Sequence, residues 1–123
     1  MPGSLTRALL AAVLLGGATA CPATADTPPP FQITLKDHRF TPTEIHVPAA
    51  QPVFLDITNA DATADEFEMR QLAIEKVIAG GATARVRLRP MAPGRYTVIG
   101  EYHEATAQGT IVAEPAGASA PKP

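Results

Sequence analysis

An all-β sandwich with Greek-key connections, built from about seven or eight strands, is the fold this sequence predicts. Three observations lead there. Apolar residues recur with a period of two, at Phe31, Ile33 and Leu35, at Ile45 and Val47, at Val53, Leu55 and Ile57, at Val86 and Leu88, and at Tyr96 and Val98. That period turns one face of a strand inward and the other outward. Turn-forming segments separate the runs: Pro48-Ala49-Ala50, Asn59-Ala60-Asp61, Gly80-Gly81 and Pro93-Gly94. Finally, no segment sustains a helical period. Only Met69–Ile78 is arguable, and its Leu72, Ile74 and Val77 fit neither template cleanly, so extended structure with irregularities is expected there.

The elements follow in chain order. Arg7, the apolar run Ala8–Leu15 and the small-residue triplets Ala18-Thr19-Ala20 and Ala23-Thr24-Ala25 form an export signal over 1–25. The apolar run is too short to span a bilayer. Cleavage is expected after Ala25, with Ala20 as the other site. Cys21, the sole cysteine, also permits lipid anchoring, although the usual Leu three residues before it is missing. Thr27-Pro28-Pro29-Pro30 makes residues 26–30 a stiff lead-in. The ordered domain is expected over 31–114. Pro93-Gly94 suits a type II turn, with Gly supplying the positive φ. Residues 115–123 contain no large apolar group and are expected to be disordered.

Charge excludes some functions. Ten Lys+Arg less Arg7 leave nine against twelve Asp+Glu, a net charge of −3 after removal of the signal. That gives no electrostatic footprint for nucleic acid, and no amphipathic or polybasic membrane segment follows the signal. No serine sits in a nucleophile elbow, the domain has no cysteine nucleophile, and no Gly-rich phosphate loop opens a helix. The expected compartment is the periplasm.

The stretch from Tyr96 to Val112 reads Tyr-Thr-Val-Ile-Gly-Glu-Tyr-His-Glu-Ala-Thr-Ala-Gln-Gly-Thr-Ile-Val. It resembles the loop joining the last two strands of cupredoxins, patterned Tyr-x-Φ-x-Cys-x-x-His-x-x-x-Met-x-Gly-x-Ile. His103 and Gly109 match. Gly100 stands at the Cys position and Ala107 at the Met position. Phe40-Thr41-Pro42-Thr43-Glu44-Ile45 is similar to that family's early strand, and Val47-Pro48-Ala49 with Val53–Asn59 to its following hairpin. Asp65-Glu66-Phe67 falls where the family has His-x-Phe, which puts Asp65 at the first copper-His position. A one-residue shift would put Glu66 there instead. The resemblance implies a Greek-key β-sandwich of cupredoxin type.

A blue-copper centre needs a thiolate, two imidazoles and a weak axial Met, so the resemblance implies the fold without that site. Asp65–Glu68, Ile74–Val77 and Gly100–His103 further resemble the EfeO-type cupredoxin-like domain, whose small stand-alone version accompanies bacterial ferrous-iron uptake permeases. Some members carry Cys where this chain has Gly100 and Phe40. The family resemblance brings two loops to one end of the sandwich and implies a metal site drawn from Asp65, Glu66, Glu101 and His103. His38 and Met69 are further candidates. Carboxylates with imidazole suit iron or Cu(II) better than Cu(I), while Met69 as a ligand would draw the site toward copper.

The implied role is oxidation, relay or delivery of iron beside a periplasmic iron- or copper-binding protein or an inner-membrane iron permease. One alternative is a metal-free interaction module. Another is a copper chaperone using Met69 and His103. As structure alone, His103 would be a surface histidine, Asp65 a turn former, and Glu66 and Glu68 a solvated strand face. His46 is expected to point outward, and Arg85, Arg87 and Arg89 to form a soluble edge stripe.

Overall fold

The period-two runs become strands of two sheets packed face to face. This computed structural model describes residues 28–117, with isolated positions 3, 12, 16 and 17 before them. Cys21 and most of the expected signal lie outside the described residues, as does the end of the expected tail. Nine strands are present among the described residues: β1 (Phe31–Lys36), β2 (Arg39–Thr41), β3 (Glu44–Pro48), β4 (Val53–Asn59), β5 (Asp65–Met69), β6 (Ile74–Ile78), β7 (Thr83–Leu88), β8 (Gly94–Gly100) and β9 (Gln108–Glu114). Among the described residues there is no α-helix, only single 3-10 turns at Arg70–Leu72 and Glu101–His103. No helix among them is long and apolar enough to cross a membrane.

The count exceeds the expected seven or eight because the chain divides near Pro42. Proline lacks the N–H a ladder requires. The chain before it pairs as β2 with β1, and the chain after it pairs as β3 with β9 in the other sheet. The ambiguous stretch after Met69 resolves as a 3-10 turn that ends at Ala73 in the left-handed region (φ 54°), followed by β6.

One sheet runs β2-β1-β4-β7 and the other β3-β9-β8-β5-β6. The pairs β1/β4 and β3/β9 are parallel, and the remaining pairs antiparallel. The inward residues of both sheets fuse into one core, with Leu55, Ile57, Met69 and Leu88 fully buried. Phe40 and Phe67 meet edge to face across it, 6.3 Å between ring centres at 82°. The expected type II turn at Pro93-Gly94 does not form. Gly94 has φ 154°, far beyond the value near +80° that such a turn requires, and opens β8 instead.

Asn59 ties the end that carries the site. It is completely buried. Its amide donates to the carbonyls of Thr63 (2.8 Å) and Ile78 (3.1 Å), and its Oδ1 accepts the Asp61 N–H (3.0 Å). The 60–64 connection is thereby fixed to both β4 and β6. Asn59→Ala removes three hydrogen bonds and strands two carbonyls, so urea denaturation should show a loss of about 3 kcal/mol.

Candidate metal centre

Strand alternation at β5 sets the site. Asp65, Phe67 and Met69 face inward, and Glu66 and Glu68 face outward. Asp65 is 2 % exposed. A carboxylate buried that deeply needs partners, and it has three. Its Oδ1 accepts the Glu66 N–H at 2.8 Å and the Tyr102 N–H at 3.1 Å, while Oδ2 lies 2.9 Å from His103 Nδ1. The 3-10 turn Glu101–His103 presents the last two donors. The loop behind it is closed by Gly100 N–H to the Ala107 carbonyl (2.9 Å) and Ala107 N–H to the His103 carbonyl (2.8 Å).

The space for this carboxylate exists because Gly100 has no side chain. A Cβ at Gly100 would lie 2.9 Å from Asp65 Oδ2 and 2.7 Å from the Ala107 Cβ. The carboxylate therefore fills the volume next to the position where the resemblance has a cysteine. Asp65, Gly100 and Ala107 form one interlocked set.

His38 reaches the same place from the other sheet. It is the second residue of the two-residue turn between β1 and β2, in which Asp37 (φ 52°) and His38 (φ 56°) are both left-handed, as in a type I′ hairpin. The Asp61 carboxylate accepts both backbone N–H groups, from Asp37 at 2.7 Å and His38 at 2.9 Å, and lies 3.4 Å from His38 Nδ1. The His38 N–H bond, foremost, and the Asp37 N–H bond hold the Asp61 carboxyl below its usual range against the opposing effect of burial. The His38 ring stacks on the His103 ring, with centres 3.5 Å apart and planes inclined by 13°.

One ligand atom from each of His38, Asp65 and His103 lies within 4.8 Å of the others. Bonds of about 2.1 Å meeting near a right angle place neighbouring ligand atoms about 3 Å apart, so the 2.9 Å Asp65–His103 contact fits two ligands of one ion. The donors are two imidazoles and one carboxylate, a set that suits Fe(II), Cu(II) and Zn(II). Side-chain exposures of 41 % at His38 and 29 % at His103 leave an approach from solvent.

The structure brings together Asp65, His103 and His38 from the expected ligands and places the other three elsewhere. Met69 is in the core opposite Ile74, four residues along β5 from Asp65, or about 13 Å at strand rise. That separation sets the thioether apart from the cluster of His38, Asp65 and His103. Glu66 and Glu101 lie on the outer side with Glu68 and Glu75, because adjacent strand residues point to opposite faces. Glu66, foremost, and Glu68 raise the Glu101 pKa by repulsion. Glu68 is not solvated as its outward position suggested. It is 8 % exposed, takes one bond from Arg70 Nε (3.2 Å), and keeps its other oxygen buried without a partner.

His46 is exposed as expected, between Glu44 and Glu114. Arg85 is a fork on Asp56 (2.8 and 3.0 Å), and Arg89 caps the Leu72 carbonyl, so only part of the arginine stripe is free. Phe40 is core. In the sequence Asp61 shows only as part of a turn signal, and its contact with His38 at the centre appears only in the fold.

Two outcomes follow from this geometry. Gly100→Ala forces the Asp65 carboxylate or the Ala107 loop to move and should cost about 1–3 kcal/mol in chemical denaturation, with loss of the Asp65–His103 contact in NMR spectra. Because the folded-state pKa of Glu101 is raised, its ionisation opposes folding, with no penalty below the unfolded value of 4.5 and the full penalty above the raised folded value. Glu101→Gln should therefore raise the melting temperature at pH 7 more than at pH 4 in calorimetric scans.

Comparison with known proteins gives the fold its family. A family profile described as a cupredoxin-like domain matches residues 7–113. An uncharacterised protein of Rickettsia prowazekii is 41 % identical over 81 residues, 66 % of this chain, and the match spans 65 % of that protein's length. Auracyanin A, a "blue" copper protein of Chloroflexus aurantiacus, is 19 % identical with a TM-score of 0.59, covering 68 % of this chain and 97 % of its own. The metal-binding domain of the Streptococcus pneumoniae Cu(I)-exporting P-type ATPase CopA, determined with Cu(I), is 15 % identical with a TM-score of 0.62, covering 68 % and 83 %. At these identities the two structures show the fold alone. With the profile covering most of its length, the chain belongs to the cupredoxin-like domain family.

Proposed function

We propose that this chain is a metal-binding protein of the bacterial periplasm that holds one transition-metal ion, iron or Cu(II), through His38, Asp65 and His103. The observation that carries the reading is the convergence of two imidazoles and a buried carboxylate from three separate segments, with ligand atoms inside 4.8 Å. The ion would supply Lewis-acid and one-electron chemistry. The protein's own residues bind and orient it: Asp65 brings a fixed negative charge, and the two imidazoles bring neutral nitrogen donors. The absence of any sulfur donor in the cluster selects against Cu(I). The resemblance to EfeO-type domains supports a role in ferrous-iron uptake, beside an iron permease or a periplasmic iron- or copper-binding partner.

Titration calorimetry of the purified domain, anaerobic for Fe(II), tests this. Binding of one Cu(II) tighter than about 100 μM is expected, with Zn(II) and then Fe(II) weaker in the usual divalent order and Cu(I) poorly held. His38→Ala and His103→Ala should each weaken Cu(II) at least tenfold. Unchanged binding in both variants, or none in the native protein, overturns the reading.

One observation supports a second reading, a metal-free module that docks an iron-uptake partner. Both oxygens of Asp65 are already satisfied by His103 and two backbone donors. Well-folded protein recovered from the periplasm without stoichiometric metal would favour it.

A further inference from the structure

We propose that Asp61 is a positioning residue whose carboxylate latches the Asp37-His38 turn and so aims the His38 ring at His103 and Asp65. The affinity part of its test rests on the metal-binding reading above, whereas the ring-placement part does not.

His38 stands at the end of a two-residue connection, where nothing in the strand ladder fixes its side chain. Its backbone is left-handed, and so is that of Asp37. Two such residues in succession are what a type I′ turn demands, and Asn-Gly or Asp-Gly is its ordinary sequence. A histidine at the second position occupies a sparsely populated region, so this turn needs a further interaction to select it. Asp61 provides one by accepting the Asp37 N–H on Oδ1 at 2.7 Å and the His38 N–H on Oδ2 at 2.9 Å. The same Oδ2 lies 3.4 Å from His38 Nδ1.

Asp61 is itself well anchored. Its N–H is bonded to the buried Asn59 side chain at 3.0 Å, and its carbonyl accepts the Gly81 N–H at 3.0 Å. The chain of contacts thus runs from the core through Asn59 and Asp61 to His38. On the other side of the stack, Asp65 Oδ2 lies 2.9 Å from His103 Nδ1 and is itself one of the three candidate ligands. The 61–65 segment thus brings a ligand at one end, Asp65, and the carboxylate that holds the His38 turn at the other, Asp61. Carboxylates in contact with ligating imidazoles fix their tautomer and orientation, and losing such a partner typically costs 10–100-fold in metal affinity.

The experiment uses Asp61→Ala and the isosteric Asp61→Asn in the metal-free and Cu(II)-titrated protein. In the metal-free native protein, NMR should show close contacts between the His38 and His103 ring protons. Asp61→Ala should abolish them, and Asp61→Asn, which keeps one acceptor oxygen, should weaken them. Cu(II) affinity should fall roughly 10–100-fold in Asp61→Ala and remain within twofold when the same change is made in a His38→Ala background. Persistence of the ring contacts with native Cu(II) affinity overturns the latch. So does an equal fold-loss with and without His38, which would mark a general structural role. If the native protein binds no Cu(II), the metal reading fails and the ring contacts alone decide the latch. If Asp61→Ala does not fold, Asp61→Asn carries both measurements.

Discussion

The buried carboxylate of Asp65 is the constraint around which the end of this sandwich is built. A carboxyl group at 2 % exposure is tolerated only with its polar atoms partnered. The backbone N–H groups of Glu66 and Tyr102 and the ring of His103 partner them. Each donor imposes something. Tyr102 and His103 require the tight 3-10 turn after β8, and the carboxylate's volume requires Gly100 to lack a side chain and Ala107 to be small. The loop that would cradle a thiolate in a blue-copper protein is here shaped around an oxygen anion.

The same strand divides the local charge. Asp65 turns in toward two imidazoles, while Glu66 and Glu68 turn out toward Glu75 and Glu101. On the inner side the negative charge has donors. On the outer side the carboxylates mainly have each other, with Arg70 shared between Glu68 and Glu104. Repulsion there raises the Glu101 pKa. One peptide unit, from Asp65 to Glu66, thus separates a satisfied anion from a crowded set.

Much of the fold was readable in the residues because period-two burial and turn chemistry are local signals. The sandwich, the turn segments and the irregularity after Met69 all follow from them. The split at Pro42 into strands of different sheets was not readable, since the partner of β3 lies more than sixty residues later in β9. In the site, Asp65 and His103 could be named from the pattern of their loops. Glu66, Glu101 and Met69 were grouped with them because sequence proximity conceals which face a residue occupies and how far a strand carries it. Asp61 was hidden because its role depends on a turn twenty-three residues earlier in the chain.

The two stacked imidazoles belong to different layers of the sandwich. His38 hangs from the sheet containing β1, and His103 from the loop leaving β8 in the other. Anything that joins them acts as a clasp across the open rim, resisting shear of one layer over the other. An occupant recognised only by the folded chain would couple its own concentration to the rigidity of the rim. At a hundredfold excess over its dissociation constant it would add about 2.7 kcal/mol to folding, so a loaded molecule would outlast an empty one under heat or proteolysis.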